Sequence, residues 1–220
     1  MKYRIRLKDI LIFECKSLVG RTFLSKKPKL NKGKNYLNLG CGKNIIDGYI
    51  NADFFCISDF FKKTITKIWQ LDLRYSLNCE DEVFDGIYSE HVIEHLYPNQ
   101  VKLLLKELYG VLKKDSVIRI TVPDLEKYIN FYNGNYADID SEEFNKEFKT
   151  GCSAVRSVTQ NYFHLSVWDF EELKLYLEDA GFVDVEKMSY NVSNDKKLEI
   201  DLKHREWETL YVEALKSDNE

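Results

Sequence analysis

The chain has 220 residues, of which 44% are hydrophobic and 14% aromatic, and its formal net charge is −4. This length and composition predict one domain with a single large core. No apolar run reaches the roughly 18 residues of a membrane-spanning helix, and no signal-peptide pattern opens the chain, so neither a membrane span nor secretion is indicated. We expect a cytoplasmic protein.

The cysteines argue against a disulfide framework and against a structural zinc site. They are odd in number, widely spaced and without a CxxC pair. They are Cys15, Cys41, Cys56, Cys79 and Cys152. We expect buried thiols.

The charge is distributed unevenly along the chain. Residues 1–34 hold eleven Lys and Arg against Asp9 and Glu14, a balance of +9 that leaves −13 for the remainder. Residues 1–33 are therefore predicted to be a separate basic segment, helical in structure. Such a helix would either pack its apolar residues on the flank of the domain or bind the inner face of an anionic membrane through residues 1–32. These apolar residues are Ile10, Phe13, Leu18 and Phe23.

From Lys34 onward, short β-rich runs alternate with longer helical runs, which is typical of an α/β sheet. Seven strands are predicted, in chain order YLNLG, GYINAD, IWQLDL, FDGIYS, SVIRITVP, FVDVEKM and ETLYVEAL. Apolar residues at helical spacing from Val101 to Leu112 predict a crossover helix. A second helix is predicted from Phe170 to Ala180, with Ser166 and Asp169 as a capping box and Gly181 as its left-handed end.

The stretch from Asp124 to Tyr162 breaks this rhythm. It is long, polar and rich in aromatic residues, and it has no strong period. Loops of this length in compact domains are usually functional or flexible. We expect an insertion on the acceptor side of a binding site.

The first predicted strand runs into a turn of Gly40, Cys41 and Gly42, which resembles the start of a dinucleotide-binding fingerprint. The third glycine of that fingerprint is missing. Only seven residues, 43–49, separate Gly42 from the next strand, too few for the usual helix that binds a pyrophosphate at its N-terminus. The ligand is therefore expected to lack a pyrophosphate.

Asp53 ends the second predicted strand, where a carboxylate can accept hydrogen bonds from both hydroxyls of a ribose. A ligand with an adenosine and no pyrophosphate suggests S-adenosylmethionine. The alternative for Asp53, and for Asp72 near the end of the third strand, is a strand-end cap.

The chain resembles the class I S-adenosylmethionine-dependent methyltransferases, in particular small predicted members found with surface-polysaccharide genes. Six segments carry the resemblance: YLNLGCG, GYINADF, LDLR, FDGIYSEHVIEHL, VLKKDSVIRITVPDL and FHLSVWDFEELKLYLEDAGFVDVE. It implies an α/β fold, a Rossmann-like doubly wound sheet of seven strands in order 3-2-1-4-5-7-6 with the seventh strand antiparallel. The methyltransferase domain would cover residues 34–216, with the insertion at about 124–162.

The resemblance implies contacts to the cofactor S-adenosylmethionine by position. Gly40 and Gly42, with Cys41 between them, would approach its methionine moiety. Asp53 would bind the ribose, with Phe54 beside it.

Further contacts implied by the resemblance lie after the third and fourth strands. Asp72 and the amide of Leu73 would contact the adenine amine, and backbone carbonyls of Ser89 and Glu90 would contact the ammonium group. The chain departs from the common pattern at Asn38, where an acid often supports that ammonium, and it lacks a helix after the glycine turn.

Methyl transfer needs alignment of the acceptor and a base for its proton. Three residues are candidate bases: His91 after the fourth strand, Asp124 after the fifth, and His164, where the family tends to have a histidine. The structural alternatives are a backbone hydrogen bond for His164 and the N-cap of a helix at Leu125 for Asp124.

His91 and His95 lie four residues apart with Glu94 between them, a spacing that could bind a metal. No third ligand is obvious, and methyl transfer does not require a metal. The sequence therefore predicts no metal, with capping or cofactor packing as the role of at least one histidine.

The acceptor is weakly specified by the sequence. Tyrosine rings of the insertion region could stack on sugar rings, although plain packing is the alternative for most of them. These are Tyr128, Tyr132, Tyr136 and Tyr162. The −13 balance of the main domain disfavours nucleic acid, because a polyanion needs neutralising charge.

The sequence thus predicts a methyltransferase that O-methylates a sugar or glycan precursor in cell-envelope biosynthesis. One alternative is methylation of another small or phosphorylated metabolite. Another is a non-catalytic, cofactor-binding accessory protein. The oligomeric state stays open.

Overall fold

The computed structural model of the chain describes residues 7–24, 26–54 and 68–217. All seven predicted strands are present, with ends within a few residues of the predicted ones. They are β1 (Tyr36–Leu39), β2 (Ile50–Asp53), β3 (Ile68–Gln70), β4 (Gly86–Glu90), β5 (Ser116–Pro123), β6 (Val183–Met188) and β7 (Thr209–Lys216).

The strands form one sheet in the order β3-β2-β1-β4-β5-β7-β6. Strands β1 to β5 are parallel, and β7 is antiparallel to both of its neighbours, β5 and β6. The predicted fold is therefore confirmed. Because the parallel strands end at one edge, the residues that follow β1, β2, β3 and β4 lie side by side, where open α/β sheets bind ligands.

Six α-helices surround the sheet within the described ranges. They are α1 (Leu7–Val19), α2 (Pro98–Val111), α3 (Leu125–Asn133), α4 (Ser141–Glu147), α5 (Gly151–Gln160) and α6 (Phe170–Ala180). The predicted crossover helix is α2, whose Leu105 and Leu108 are fully buried against the sheet. None of the helices in these ranges combines the length and apolarity needed to cross a membrane.

The predicted capping box before α6 is wrong. The N-cap is Asp169, whose carboxylate accepts the amide proton of Glu172. The Ser166 hydroxyl instead donates to the Ile93 carbonyl and accepts the indole proton of Trp168. Gly181 ends the helix at φ 108°, as predicted.

The insertion is helical, although its sequence has no strong helical or strand periodicity. Helices α3, α4 and α5 enclose a separate aromatic cluster, in which Phe144 is fully buried and Trp207 packs edge-on against it at 4.8 Å between ring centroids. Tyr128 belongs to this cluster and donates a hydrogen bond to Glu208, so it is not an exposed sugar-stacking ring.

The basic N-terminal segment forms α1 and a π-helical turn over Gly20–Leu24. It attaches to the domain mainly through polar contacts. Its apolar residues are not buried, contrary to the packing alternative: Ile10, Phe13, Leu18 and Phe23 are 46%, 42%, 56% and 74% exposed.

The expectation of buried thiols is correct only in part. Cys41 is buried and Cys79 half-buried, but Cys15 and Cys152 are exposed. Cys56 lies outside the described residues.

Candidate active site

The turn after β1 requires glycine at two positions. Gly40 and Gly42 have φ values of 66° and 53°, in the left-handed region that favours glycine. A Cβ added at Gly40 would lie 2.2 Å from Cγ2 of Val92, whereas one added at Gly42 would meet no atom within 4 Å. Gly40 packs tightly on Val92 and lines the cavity described below.

Residues 40–49, all of them described, contain no helix, as expected. An asparagine pair fixes this connection instead. Asn51 accepts hydrogen bonds from Asn38 Nδ2 and from the Ile46 amide, both at 2.9 Å, and donates to the Ile46 carbonyl at 2.9 Å. Asn38, which departs from the acid implied by the family resemblance, thus stabilises the turn. The sequence analysis missed Asn51.

Asp53 lies opposite the glycine turn with its carboxylate held by backbone amides. One oxygen accepts the Gly42 N–H and the other accepts the Phe54 N–H, each at 2.5 Å. Burial raises the pKa of Asp53, and these two hydrogen bonds oppose the shift. Each carboxylate oxygen keeps a second lone pair, so the group can accept from both ribose hydroxyls.

Asp72 contacts the same region, but its carboxylate is already fully engaged. Arg74 donates to it through Nε at 2.9 Å and Nη2 at 2.7 Å, and the hydroxyl of Ser17 on α1 donates to it as well. Burial alone would raise the pKa of Asp72, but these hydrogen bonds outweigh burial and lower it. A contact to the adenine amine would have to displace one of these partners.

These groups open into one cavity of about 980 Å³. Its wall includes Gly40, Asp53, Phe54, Asp72, Leu73 and His91 from the predicted site. Helix α1 contributes Ile10, Phe13 and Glu14, so the N-terminal segment is part of the site and not a separate object. The Phe13 and Phe54 rings pack at 5.0 Å between centroids.

Four predicted cofactor residues are not among the described residues that line this cavity: Cys41, Gly42, Ser89 and Glu90. Cys41 is buried, and burial raises the pKa of its thiol to about 12. Ser89 is a buried residue of β4. The Glu90 carboxylate turns away to accept the Leu202 amide at 3.0 Å.

His91 lies at the end of β4 with φ 52°, a strained conformation of the kind found at functional sites. Its Nε2 is 2.8 Å from Thr209 Oγ1, and that hydroxyl donates its only proton to the Arg205 carbonyl at 2.7 Å. Nε2 must therefore donate to Thr209, which leaves the lone pair on Nδ1. Burial lowers the pKa of His91 well below its usual value, so the ring is neutral near pH 7.

Glu94 is almost completely buried beside two histidines. Its Oε1 lies 3.7 Å from His91 Nδ1 and 3.8 Å from His95 Nε2. Neither carboxylate oxygen has a hydrogen-bond partner among the described residues. Burial raises the pKa of Glu94 to about 8.

His164 lies next to His95 with the two rings edge-on at 5.1 Å between centroids. Its Nδ1 donates to the Val158 carbonyl at 2.8 Å, which is the backbone hydrogen bond considered as its structural role. The structure thus brings three of the four histidines to one end of β4. His164 itself is not among the described cavity-lining residues, although Phe163 and Leu165 are.

Asp124 has the structural role considered as its alternative to catalysis. It is the N-cap of α3, where its carboxylate accepts the Glu126 amide, and its side chain is 1% exposed, 3.6 Å from Lys187 Nζ. It is not among the described cavity-lining residues. We therefore do not assign Asp124 to the chemistry.

A buried ion network behind the site was not recognised from the sequence. Arg119 on β5 is fully buried and donates to Asp201 at 2.9 and 2.5 Å and to Glu213 at 3.0 Å. It also donates to the carbonyls of Ser189 and Val192. These contacts tie the β6–β7 connection, which carries Arg205 and leads into Thr209, to the centre of the sheet.

Residues 13–187 match the family model of a methyltransferase domain, which is most of the chain. The chain belongs to this methyltransferase family. With the strand order and the geometry of Asp53, the match confirms the predicted enzyme class, an S-adenosylmethionine-dependent methyltransferase.

Solved structures show the same fold. A SAM-dependent methyltransferase from Archaeoglobus fulgidus shares 20% sequence identity, with 92% of this chain and 93% of that chain aligned and a TM-score of 0.51. A possible exported protein from Bordetella parapertussis shares 12% identity over 96% of this chain and 68% of that chain, with a TM-score of 0.50. No curated protein shows significant similarity to the chain.

The proposed contact of Asp53 with the ribose gives a direct prediction. Asp53→Ala should weaken binding of S-adenosylhomocysteine by at least about 1.5 kcal/mol, because two charge-assisted hydrogen bonds to the ribose are lost. Isothermal titration calorimetry measures this difference. Asp47→Ala is the matched control, since Asp47 is an exposed acid of the same β1–β2 connection and does not line the cavity. Unchanged affinity in a folded Asp53→Ala protein would refute the assignment.

Proposed function

We propose that the protein transfers a methyl group to a hydroxyl of a sugar or glycan precursor in cell-envelope biosynthesis. The observation that carries the proposal is the exposed aromatic rim beside His91. Phe163 and Tyr97 line the cavity and are 62% and 54% exposed, and Tyr162 next to Phe163 is 63% exposed. Aromatic faces of this kind suit the apolar faces of sugar rings.

The backbone of this rim is strained. Tyr162 and Phe163 are consecutive non-glycine residues with φ values of 57° and 64°. Such conformations cost roughly 1–3 kcal/mol each and persist where the surrounding structure or a function requires them. In this conformation both rings are exposed and the Phe163 ring lines the cavity, which supports a role in acceptor binding.

Methyl transfer from S-adenosylmethionine requires few catalytic groups from the protein. S-adenosylmethionine supplies a methyl group bound to a sulfonium sulfur. The acceptor oxygen forms the new C–O bond while the S–C bond breaks, and the sulfur keeps the electron pair of the broken bond. The chain must align the acceptor and remove the hydroxyl proton. His91 Nδ1 carries a lone pair at the cavity wall, and we assign it as the acceptor of that proton.

An acceptor panel tests this function. Release of S-adenosylhomocysteine is measured with nucleotide-activated sugars, lipid-linked sugars and phosphorylated non-sugar metabolites. We expect turnover with a sugar acceptor and a methyl ether in the product. Turnover only with non-sugar metabolites would contradict sugar methylation and favour the alternative acceptor, another small or phosphorylated metabolite. Binding of S-adenosylhomocysteine without turnover on any acceptor would favour the accessory role.

We further propose that α1 holds the enzyme at an anionic membrane surface. Leu7, Leu11 and Leu18 lie on one face of α1 at spacings of four and seven residues and are 73%, 56% and 56% exposed. The basic residues of the segment supply the attraction to acidic lipids. A lipid-linked glycan precursor would be accessible at that surface.

The double variant Leu11→Asp/Leu18→Asp should abolish co-sedimentation with anionic vesicles without weakening S-adenosylhomocysteine binding, because neither residue lines the cavity. The full chain should bind anionic vesicles at low salt and dissociate as salt rises, since each lysine near the surface contributes about 1 kcal/mol and is screened within a Debye length.

The matched control is Leu103→Asp/Leu175→Asp, which replaces leucines of α2 and α6 that are 61% and 59% exposed. It should co-sediment like the wild type. A full-length protein that does not bind anionic vesicles at low salt would contradict the membrane proposal.

A further inference from the structure

A group of three side chains that could ligate a metal lies beside the cavity, which one of them, His95, lines. Glu94, His95 and His164 each offer one ligand atom, and these atoms lie within 4.8 Å of one another. The sequence analysis considered His91 and His95, with Glu94 between them, and found no obvious third ligand. The fold supplies that ligand from the loop before α6.

We propose that Glu94, His95 and His164 bind a divalent transition-metal ion that coordinates the acceptor oxygen. Two imidazoles and one carboxylate are the donor set of catalytic zinc sites, which keep a fourth position open for water or substrate. This role for the ion rests on the proposed function. The site itself is argued from the contacts below.

Glu94 is the first independent argument. Its side chain is 2% exposed, and both carboxylate oxygens lack a hydrogen-bond partner among the described residues. Buried polar groups in native proteins are nearly always paired, so such a group requires an explanation. A cation bound between Glu94 and the two histidines provides the missing partner.

His164 is the second argument. Because a carbonyl only accepts, the 2.8 Å contact to Val158 fixes the proton of His164 on Nδ1 and leaves the lone pair on Nε2. Metal-binding histidines almost always donate their other N–H to a carboxylate, a backbone carbonyl or a water in this way. The ring is therefore in the tautomer that a metal needs.

The geometry requires only a small adjustment. Bonds of about 2.0–2.1 Å place tetrahedral ligand atoms roughly 3.3 Å apart. Glu94 Oε1 and His95 Nε2 are already 3.8 Å apart. The His95 side chain is 40% exposed and lines the cavity. Its ring also hydrogen-bonds the backbone of Phe163 and Tyr162, so a shift towards the other two ligands must accommodate these contacts.

The surrounding charge favours a cation. Arg205 acts on Glu94 from the β6–β7 connection, but Glu90 and Glu208 act on it as well. The acids near Glu94 thus outnumber the one arginine that acts on it. Bound next to His91, the ion would stabilise the negative charge that develops on the acceptor oxygen as its proton leaves.

The test uses the full chain without a polyhistidine tag, dialysed against a chelator and titrated with Co²⁺ and Zn²⁺. We expect one equivalent of Co²⁺ with visible ligand-field absorption, and one equivalent of Zn²⁺ by calorimetry. Glu94→Gln and His164→Ala should each weaken binding at least about tenfold. His204→Ala is the matched control, since His204 is the remaining histidine and is exposed.

Binding of S-adenosylhomocysteine is measured on the same samples to show that the variants are folded. Absence of Co²⁺ binding to the wild type, or binding that persists unchanged in both Glu94→Gln and His164→Ala, would overturn the proposal. The proposed function is tested separately, because it fails only if the acceptor panel gives no sugar methylation.

Discussion

His91→Asn should lower kcat by about two to four orders of magnitude, the range that general-base catalysis contributes. The Nδ1 lone pair is the proposed proton acceptor, and asparagine keeps a polar group of similar reach without a basic nitrogen. The affinity for S-adenosylhomocysteine should stay within about threefold of the wild type, because the ribose contacts at Asp53 are untouched. Steady-state kinetics with a sugar acceptor and calorimetry measure the two quantities.

Thr209→Val is the graded control for this prediction. It removes the hydroxyl that accepts the His91 Nε2 proton at 2.8 Å but leaves the imidazole in place. The ring loses its orientation, so kcat should fall by less than in His91→Asn. If His91→Asn keeps wild-type kcat, His91 is not the base, whatever the effect of Thr209→Val.

The second large effect is on stability. Arg119→Met should lower the free energy of unfolding by about 3–5 kcal/mol, because it leaves the buried carboxylates of Asp201 and Glu213 without their cation. Methionine fills similar volume, so the loss measures the uncompensated charge more than a cavity. Urea unfolding followed by circular dichroism gives the free energy.

Lys102→Met is the matched control for Arg119→Met. It removes the cation of an exposed ion pair, Lys102 to Asp179 at 2.7 Å with side chains 49% and 60% exposed. Exposed pairs contribute about 0–1 kcal/mol, so the change should be small. Similar losses in the two variants would mean that the Arg119 network is not the strong constraint that its burial indicates.

The α/β class and the strands could be predicted from the sequence because their signals are local: β-rich runs, a turn with two glycines at Gly40 and Gly42, and acids at strand ends. The strand order was implied by the family resemblance, because pairing between strands depends on contacts between distant parts of the chain. The predicted fifth strand, SVIRITVP, has the same first and last residues as β5. The insertion could not be predicted in this way, because α3, α4 and α5 bury their aromatic residues against Trp207 from a distant part of the chain.

Residues could be placed at the cavity from the sequence where their own position in a strand puts them there. Asp53 is the last residue of β2, and His91 directly follows β4, so both lie at the carboxyl edge of the sheet. The partners that determine their chemistry come from elsewhere: Thr209 orients His91, and Arg74 with Ser17 occupies the Asp72 carboxylate. Such pairings depend on tertiary contacts that no spacing in the sequence encodes.

The central claim, that the cavity between the glycine turn and α1 binds S-adenosylmethionine, is tested most directly by a crystal structure of the full chain with S-adenosylhomocysteine. We predict both ribose hydroxyls within hydrogen-bond distance of the Asp53 carboxylate, with the methionine moiety against Gly40 and the sulfur facing His91. A nucleoside bound elsewhere, or a ribose that does not contact Asp53, would contradict the account.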